Sequence, residues 1–149
     1  MIHIAVQAAD FSVQQEYDRI CADNSADGAV VCFVGRVRDL NAGEAVYAMT
    51  LEHYPGMTEQ SLLAIVNEAQ GRWPLSRVRV IHRVGQLAPG EQIVFVATAS
   101  PHRDAAFAGA QFIMDWLKTR APIWKKENTA RGEHWVEAKA SDADKAEQW

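Results

Sequence analysis

The stretch of sequence that decides the fold is SPHRDAAFAGAQFIMDWLKTRAPIWKKE, residues 100–127. Strong helix formers fill it from Pro101 to Ala121, and β-branched residues are few. Ser100 is a suitable N-cap, and Pro101 at the first helical position loses no needed hydrogen-bond donor. Pro122 disfavours helical geometry at the residue before it, so we expect the helix to end at Ala121.

This helix is predicted to be mostly buried. Four of its apolar side chains share one face at helical spacing, namely Ala106, Ala110, Ile113 and Leu117. Phe112 and Trp116 cover a second flank. We therefore expect the helix to pack in the core or at a subunit interface.

Cations cluster at both ends of the helix, although the whole chain carries a net charge of −4. Lys118 lies where the apolar face meets the polar face. A lysine at such a boundary commonly extends to water. The alternative is partial desolvation, which lowers the pKa of an amine and makes it a usable nucleophile or proton carrier. The other cations are His102, Arg103, Arg120, Lys125 and Lys126.

The residues after Pro122 alternate as a β-strand does, which directs Lys125 back toward the helix end near Lys118. Two ammonium groups close together repel each other unless an anion lies between them. This arrangement predicts a phosphate or carboxylate site. The alternative is a solvated lysine pair that protects an edge strand against aggregation.

Length and composition limit the class of protein. A chain of 149 residues, 48% hydrophobic and 23% charged, predicts one globular domain over residues 1–149. The negative net charge argues against non-specific nucleic-acid binding, which needs a positive face. No apolar run reaches membrane-spanning length, and the N-terminus lacks the features of a signal peptide. We therefore expect a cytoplasmic protein that binds neither nucleic acid nor membrane.

The two cysteines, Cys21 and Cys32, are too few for a disulfide framework, and we expect both to be reduced. Cys32 is interpreted as a small core hydrophobe, because nothing adjacent in sequence would lower the pKa of its thiol. No Cys/His spacing resembles a zinc site, so no metal is expected.

Hydrophobic periodicity along the rest of the chain predicts the order β-α-β-β-α-β-β-α-β-β and then a polar tail. The strand over residues 28–38 is expected to form a hairpin with the strand over residues 45–54. Thr58 is the predicted cap of the second helix. The first helix is expected to turn Val13, Tyr17, Ile20 and Cys21 inward. The predicted fold is α+β, with helices packed on one side of a mainly antiparallel sheet. The strands are expected at residues 1–7, 28–38, 45–54, 77–84, 92–99, 123–127 and 133–139.

Four colinear stretches carry a family resemblance: GAVVCFVGRVR (28–38), LEHYPGM (51–57), VIHRVG (80–85), and the block from His102-Arg103 through KTRAPIWKK (118–126). The sequence WVE (135–137) extends the resemblance toward the end of the chain. Together they resemble the large, catalytic subunits of molybdopterin synthases over nearly the whole chain. The resemblance implies a fold of the α/β-hammerhead type.

The same resemblance implies a sulfurtransferase of molybdenum-cofactor biosynthesis. Such an enzyme adds two sulfurs to cyclic pyranopterin monophosphate and so forms the dithiolene of molybdopterin. The sulfur arrives as a thiocarboxylate on the C-terminal Gly-Gly tail of a small ubiquitin-like subunit. The family assembles as a heterotetramer, a central homodimer of large subunits with one small subunit at each outer end. No cofactor is implied for this chain.

By position in the matched motifs, Lys118 is the principal catalytic lysine, expected to transfer protons or stabilise charge, with transient acylation as an alternative. Lys125 is the second active-site lysine, which positions substrate and stabilises charge. Arg38 is expected to hold the phosphate or a pterin oxygen through forked hydrogen bonds. Phe33 and Met114 match apolar pocket residues.

The resemblance also implies that His102 and Arg103 bind substrate from across the dimer interface, so that two chains build each pocket. Lys139 occupies a substrate-binding position where an arginine is expected, and lysine keeps the charge but loses the planar fork. A Gly-Gly tail needs a narrow channel, for which Gly35 and Gly56 are candidate walls.

Two other functions stay open from the sequence. One is a non-catalytic adaptor that keeps only the docking surface for the ubiquitin-like partner. The presence of Lys118, Lys125 and Arg38 together argues against it. The other, reached from the residues alone, is an enzyme for a small phosphate ligand that uses a Schiff-base lysine.

Overall fold

The computed structural model describes residues 1–136 and 139–149, which form two β-sheets and four α-helices. The helices are α1 (Val13–Cys21), α2 (Met57–Arg72), α3 (Arg103–Arg120) and α4 (Ala140–Glu147). The strands are β1 (Ile2–Gln7), β2 (Ala29–Arg36), β3 (Leu40–Asn41), β4 (Glu44–His53), β5 (Arg77–Arg83), β6 (Gly85–Leu87), β7 (Gln92–Ser100), β8 (Ile123–Thr129) and β9 (Gly132–Trp135). In this part of the chain no helix is long and apolar enough to cross a membrane.

The first sheet has the strand order β1-β5-β7-β2, in which only β1 and β5 run parallel. Its central strands, β5 and β7, are buried at nearly every position. Side chains such as Val80 and Val96 pack toward α2 and α3, whereas Ile81 and Phe95 pack toward α1. The helices therefore cover both faces of this sheet and not one side, because apolar side chains on both faces need cover.

The second sheet is antiparallel, with the order β3-β4-β8-β9 and with β6 paired to β4. The predicted hairpin between residues 28–38 and 45–54 is wrong, because β2 pairs with β7 and β4 pairs mainly with β8. The chain leaves the first sheet at Val37, whose N–H donates to the carbonyl of Glu91 at 2.9 Å. It then turns back through the short β3–β4 hairpin, where Ala42 and Gly43 have positive φ. The mainly antiparallel α+β class is confirmed.

Helix α3 lies at the centre of the larger core, and the predicted face of Ala106, Ala110, Ile113 and Leu117 is buried. Its start differs from the prediction. Ser100 still belongs to β7, paired with Ala29, and Pro101 precedes the helix, so that His102 occupies the N-cap position. Its end agrees with the prediction, since Ala121 is the C-cap.

Other local predictions are corrected. Tyr17 is 44% exposed, and the buried residue on that turn of α1 is Glu16, which pairs with Arg79 at 2.6 Å. Gly56 caps α2 in place of Thr58. Cys32 is exposed on the outer strand of the first sheet, not in the core.

The C-terminal part of the prediction was a strand over residues 133–139. Strand β9 ends at Trp135, and residues 137–138 of the predicted strand lie outside the described residues. The polar tail forms helix α4, which packs against α3.

Candidate active site

A pocket of about 580 Å³ lies where the C-terminal end of α3 meets the ends of β2 and β8 and the start of α4. Its volume is in the range of small-molecule sites in proteins. Six of the predicted catalytic, substrate-binding and apolar pocket residues line it: Phe33, Arg38, Met114, Lys118, Lys125 and Lys139.

The turn between α3 and β8 brings the two lysines together. Lys118 lies exposed in the last turn of the helix, and Lys125 lies two residues into the strand, largely withdrawn from solvent. The turn is fixed by the buried hydroxyl of Thr58, which donates to the carbonyl of Pro122 at 3.0 Å. This contact ties the first turn of α2 to the segment that sets the spacing of the lysines.

The environment of Lys125 is unusual for a lysine. Burial, the charge of Lys118 and a side-chain hydrogen bond with it, in that order, lower the pKa of Lys125 to about 8. Burial and a like charge both disfavour the protonated amine. Lys125 can therefore lose and regain a proton near neutral pH, which an ordinary lysine does not do.

Positive charge dominates the pocket lining. Six cations line it against two carboxylates, in a chain whose net charge is −4. Two of the cations are already engaged: Arg36 donates to the carbonyl of Gly90 at 3.1 and 3.2 Å, and Arg120 pairs with Glu68 at 2.8 Å. Arg38 has no hydrogen bond or ion pair among the described residues, so its planar fork is available to an anion. The cations are Arg36, Arg38, Lys118, Arg120, Lys125 and Lys139, and the carboxylates are Glu127 and Asp142.

One wall of the pocket is apolar. Phe33 and Met114 lie on it, as the sequence predicted, together with Gly35. A Cβ at Gly35 would lie 2.6 Å from Val94 Cγ1. The backbone at this position can therefore approach the Val94 side chain closely only because residue 35 is glycine. Gly56, the second candidate wall, does not line this pocket and instead caps α2.

Helix α4 closes the pocket on its outer side with Lys139 and Asp142. The helix is held in place by the C-terminal residue Trp149, whose indole N–H donates to Asp115 at 2.7 Å. The same ring packs edge-on against Trp73. The position of Lys139 thus depends on packing between α4 and α3.

His102 and Arg103 do not line the pocket of their own chain. They lie at the opposite end of α3, where they border a shallow cleft. Fifteen residues separate Arg103 from Lys118, a distance of about 22 Å along a helix axis. A single chain therefore does not bring these two predicted residues to the lysines, and their role across a dimer interface stays a prediction.

Two buried polar residues of the pocket were missed by the sequence analysis. Glu127 is 1% exposed, with Oε1 accepting from Asn41 Nδ2 and Oε2 without a partner among the described residues. His82 is 4% exposed and lies at the end of β5. The period-two alternation that pointed to Lys125 also places Glu127 on the same face of β8. No local signal distinguishes His82 from other histidines.

Partial burial raises the pKa of the Cys32 thiol, and the charge of Cys21 adds to this shift. The thiol therefore stays protonated at neutral pH and is a poor nucleophile. Cys32 does not line the pocket. A reaction in the pocket must obtain any sulfur from elsewhere.

Comparison with known proteins gives a consistent result. A family model described as MoaE protein matches residues 6–120. The chain is 57% identical over 146 residues to a Vibrio cholerae protein named molybdopterin synthase catalytic subunit, and the match covers 98% of this chain and 97% of that protein.

Solved structures agree with the sequence comparison. The molybdopterin biosynthesis MoaE protein from Burkholderia ambifaria has a TM-score of 0.86 and 50% sequence identity, and the match covers 100% of this chain and 98% of that chain. Molybdopterin synthase from Staphylococcus aureus has a TM-score of 0.82 and 31% identity, with 89% of this chain and 95% of that chain covered.

Proposed function

The chain belongs to the MoaE family, and on that premise we propose that it is the catalytic subunit of a molybdopterin synthase. In this function it transfers sulfur from the C-terminal thiocarboxylate of a small ubiquitin-like subunit to cyclic pyranopterin monophosphate, forming the dithiolene. The observation that carries the proposal is the meeting of Lys118, Lys125 and Arg38 in one pocket of substrate size.

The charge of the pocket suits both reactants. Cyclic pyranopterin monophosphate carries a phosphate, and the incoming tail carries a negatively charged thiocarboxylate. Arg38 supplies the forked donor that a phosphate accepts bidentately, and Lys139 adds a flexible charge at the pocket edge. The unpartnered oxygen of Glu127 is an acceptor for ring N–H groups of the pterin.

The two lysines take different parts. Lys118 is exposed at the pocket mouth, where a fixed positive charge stabilises negative charge that develops during transfer. Lys125, whose pKa is about 8, is the group that carries a proton. The sequence-based assignment gave Lys118 proton transfer or charge stabilisation, with transient acylation as an alternative, and gave Lys125 substrate positioning and charge stabilisation. The division proposed here moves proton transfer to Lys125.

The sulfur comes from the partner in this scheme. A thiocarboxylate is itself a sulfur nucleophile, so the chain needs no reactive cysteine of its own. This fits the raised pKa of Cys32 and its place outside the pocket. A Schiff-base function would need no such partner and is the less favoured alternative.

The assembly proposed is a homodimer of this chain with a small subunit at each outer end. The position of His102 and Arg103 about 22 Å from Lys118 along α3 supports a pocket completed by the second chain. The cytoplasmic location and the single domain over residues 1–149 stay predictions from the sequence.

Reconstitution tests the function. The purified chain is mixed with cyclic pyranopterin monophosphate and the small subunit, either thiocarboxylated or with an ordinary carboxylate tail. We expect the fluorescent oxidised pterin product only with the thiocarboxylate. If no product forms although sizing shows the complex, the chain is an adaptor and not a synthase subunit.

A further inference from the structure

Arg38 lies in the segment of residues 37–41, which connects the two sheets and lines one side of the pocket with Arg38, Leu40 and Asn41. Among the described residues the guanidinium of Arg38 makes no hydrogen bond or ion pair. No contact of its own side chain therefore fixes Arg38, and its place in the pocket depends on what holds the backbone of residues 37–41.

The two ends of this segment are held differently. At the first end, the N–H of Val37 donates to the carbonyl of Glu91 at 2.9 Å, and its carbonyl accepts from the N–H of Gly90 at 2.8 Å. At the second end, the N–H of Val46 donates to the carbonyl of Asp39 at 2.9 Å. This last bond lies within the β3–β4 hairpin, so it does not fix the hairpin to the rest of the pocket.

Asn41 attaches the second end to the opposite side of the pocket. Its Nδ2 donates to Oε1 of Glu127 at 2.5 Å, a contact between residues 86 positions apart in the sequence. Glu127 is almost fully buried on β8, where its backbone is paired with Met49 of β4 and His134 of β9. Among the described residues, no other side chain of residues 38–43 bonds to a segment outside β3 and β4.

We propose that Asn41 is a positioning residue of this site. Its hydrogen bond to Glu127 fixes residues 37–41 against β8, the strand that carries Lys125, and so holds Arg38 in place. The inference rests on the proposed function, in which Arg38 binds the phosphate of the substrate. An arginine binds phosphate through two parallel hydrogen bonds only when its planar fork is correctly oriented. Asn41 acts through the backbone and needs no contact with the substrate.

The burial of Glu127 makes this attachment strong. Its Oε2 already has no partner among the described residues, so loss of the Asn41 donor would leave both buried carboxylate oxygens without one. An unpaired buried acceptor is costly. The hairpin has a second attachment, the ion pair of Glu44 with Arg131 at 2.6 Å, but Arg131 is exposed and neither residue lines the pocket. Exposed ion pairs contribute little.

The first test measures the Kd of cyclic pyranopterin monophosphate for the complex with the small subunit, whose tail ends in an ordinary carboxylate so that no product forms. We expect Asn41→Ala to raise this Kd about tenfold, the effect of one hydrogen bond to a carboxylate. Asn41→Asp keeps the size of the side chain and removes the donor, so it should raise the Kd at least as much. An unchanged Kd in either variant overturns the proposal.

A double-mutant cycle separates positioning of Arg38 from other roles of Asn41. Residues that act through one another have non-additive effects. We therefore expect Asn41→Ala to change the Kd less than twofold when Arg38→Ala is already present. A tenfold effect that persists without Arg38 would place the action of Asn41 on Glu127 or on the substrate, and it overturns the proposal.

Arg131→Ala is the matched control, because it removes the other attachment of the same hairpin outside the pocket. We expect its Kd to equal that of the unaltered chain. A rise equal to that of Asn41→Ala would mean that any loosening of the hairpin suffices, and it overturns a specific role for Asn41.

A second measurement needs no substrate. Hydrogen exchange of the Val46 amide reports opening of the hairpin, because this amide bonds to Asp39 across it. We expect exchange about tenfold faster in Asn41→Ala and nearly unchanged in Arg131→Ala. Unchanged exchange in Asn41→Ala overturns the inference whether or not the chain binds the substrate. Failure of the proposed function would appear differently, as absent binding of cyclic pyranopterin monophosphate to the unaltered complex.

Discussion

Lys118 and Lys125 enter the same pocket from two different elements, one from the last turn of α3 and the other from β8. Burial, together with the proximity of Lys118, lowers the pKa of Lys125 to about 8. Two amines in this arrangement attract an anion when both are charged and can pass a proton when one is neutral. The proposed sulfur transfer to a phosphate-bearing substrate uses both properties.

The first prediction concerns the coupling of these amines. Lys118→Ala removes a like charge, so the protonated form of Lys125 becomes easier to keep and its pKa rises toward the ordinary value. Lysine NMR titration measures this pKa. Lys126→Ala is the matched control, because Lys126 is 3.8 Å from Glu133 and packs over Trp135 on the other face of β8. An unchanged Lys125 pKa in Lys118→Ala would show that the amines are independent.

The second prediction is the pH dependence of turnover. If neutral Lys125 accepts a proton, kcat rises with pH and levels off above about 8, the pKa of that amine. Lys125→Arg keeps the positive charge but does not lose its proton, so its kcat should be about 10²-fold lower and flat over this range. A rising profile that survives in Lys125→Arg would assign the titration to another group.

The third prediction tests whether two chains build each pocket. Arg103→Ala and Lys118→Ala each abolish most activity alone. When they are co-expressed, half of the dimers are mixed and one of their two pockets has both native residues, so about a quarter of the activity returns.

The control for this experiment pairs His102→Ala with Arg103→Ala. Both substitutions lie on the same contributed segment, so no pocket of a mixed dimer regains both native residues. Activity that returns equally in both mixtures, or in neither, would argue against a pocket shared between chains.

The fourth prediction concerns the packing of α3. A Cβ at Gly109 would lie 2.6 Å from Leu75 Cδ1, so Gly109→Ala overpacks the core and should lower the free energy of unfolding by about 1–3 kcal/mol. A Cβ added at Gly71 in α2 would have nothing within 4 Å. Gly71→Ala should therefore raise the free energy of unfolding by about 0.5–1 kcal/mol. Urea denaturation measures both. Equal effects of the two substitutions would mean that contact with Leu75 does not limit the position of α3.

Elements with strong local signals were predictable from the sequence, and pairings between distant segments were not. Proline and helical spacing located α3 to within a few residues. The partner of β4 was assigned wrongly, because alternation shows which face of a strand is buried but not which strand lies beside it. Ser100 was misassigned as a cap because its pairing with Ala29 extends β7, a contact 71 positions away in the sequence.

The same distinction between local and distant signals separates the site residues that could be predicted from those that could not. Lys118 and Lys125 could be placed together because a helix end, a proline and a strand lie within eight residues of each other. Arg38, Phe33 and Met114 came from the family motifs, and all three line the pocket. His82, which also lines the pocket, could not be found, because no local signal in the sequence distinguishes it from the other histidines.

The most direct test of the account is product formation by Lys118→Ala in the reconstituted reaction, with Lys126→Ala alongside and the complex confirmed by sizing in each case. The account predicts that Lys126→Ala forms the dithiolene product at the rate of the unaltered chain. It predicts that Lys118→Ala binds the small subunit but forms product about 10²-fold more slowly or not at all. Product formation at the full rate by Lys118→Ala would contradict it.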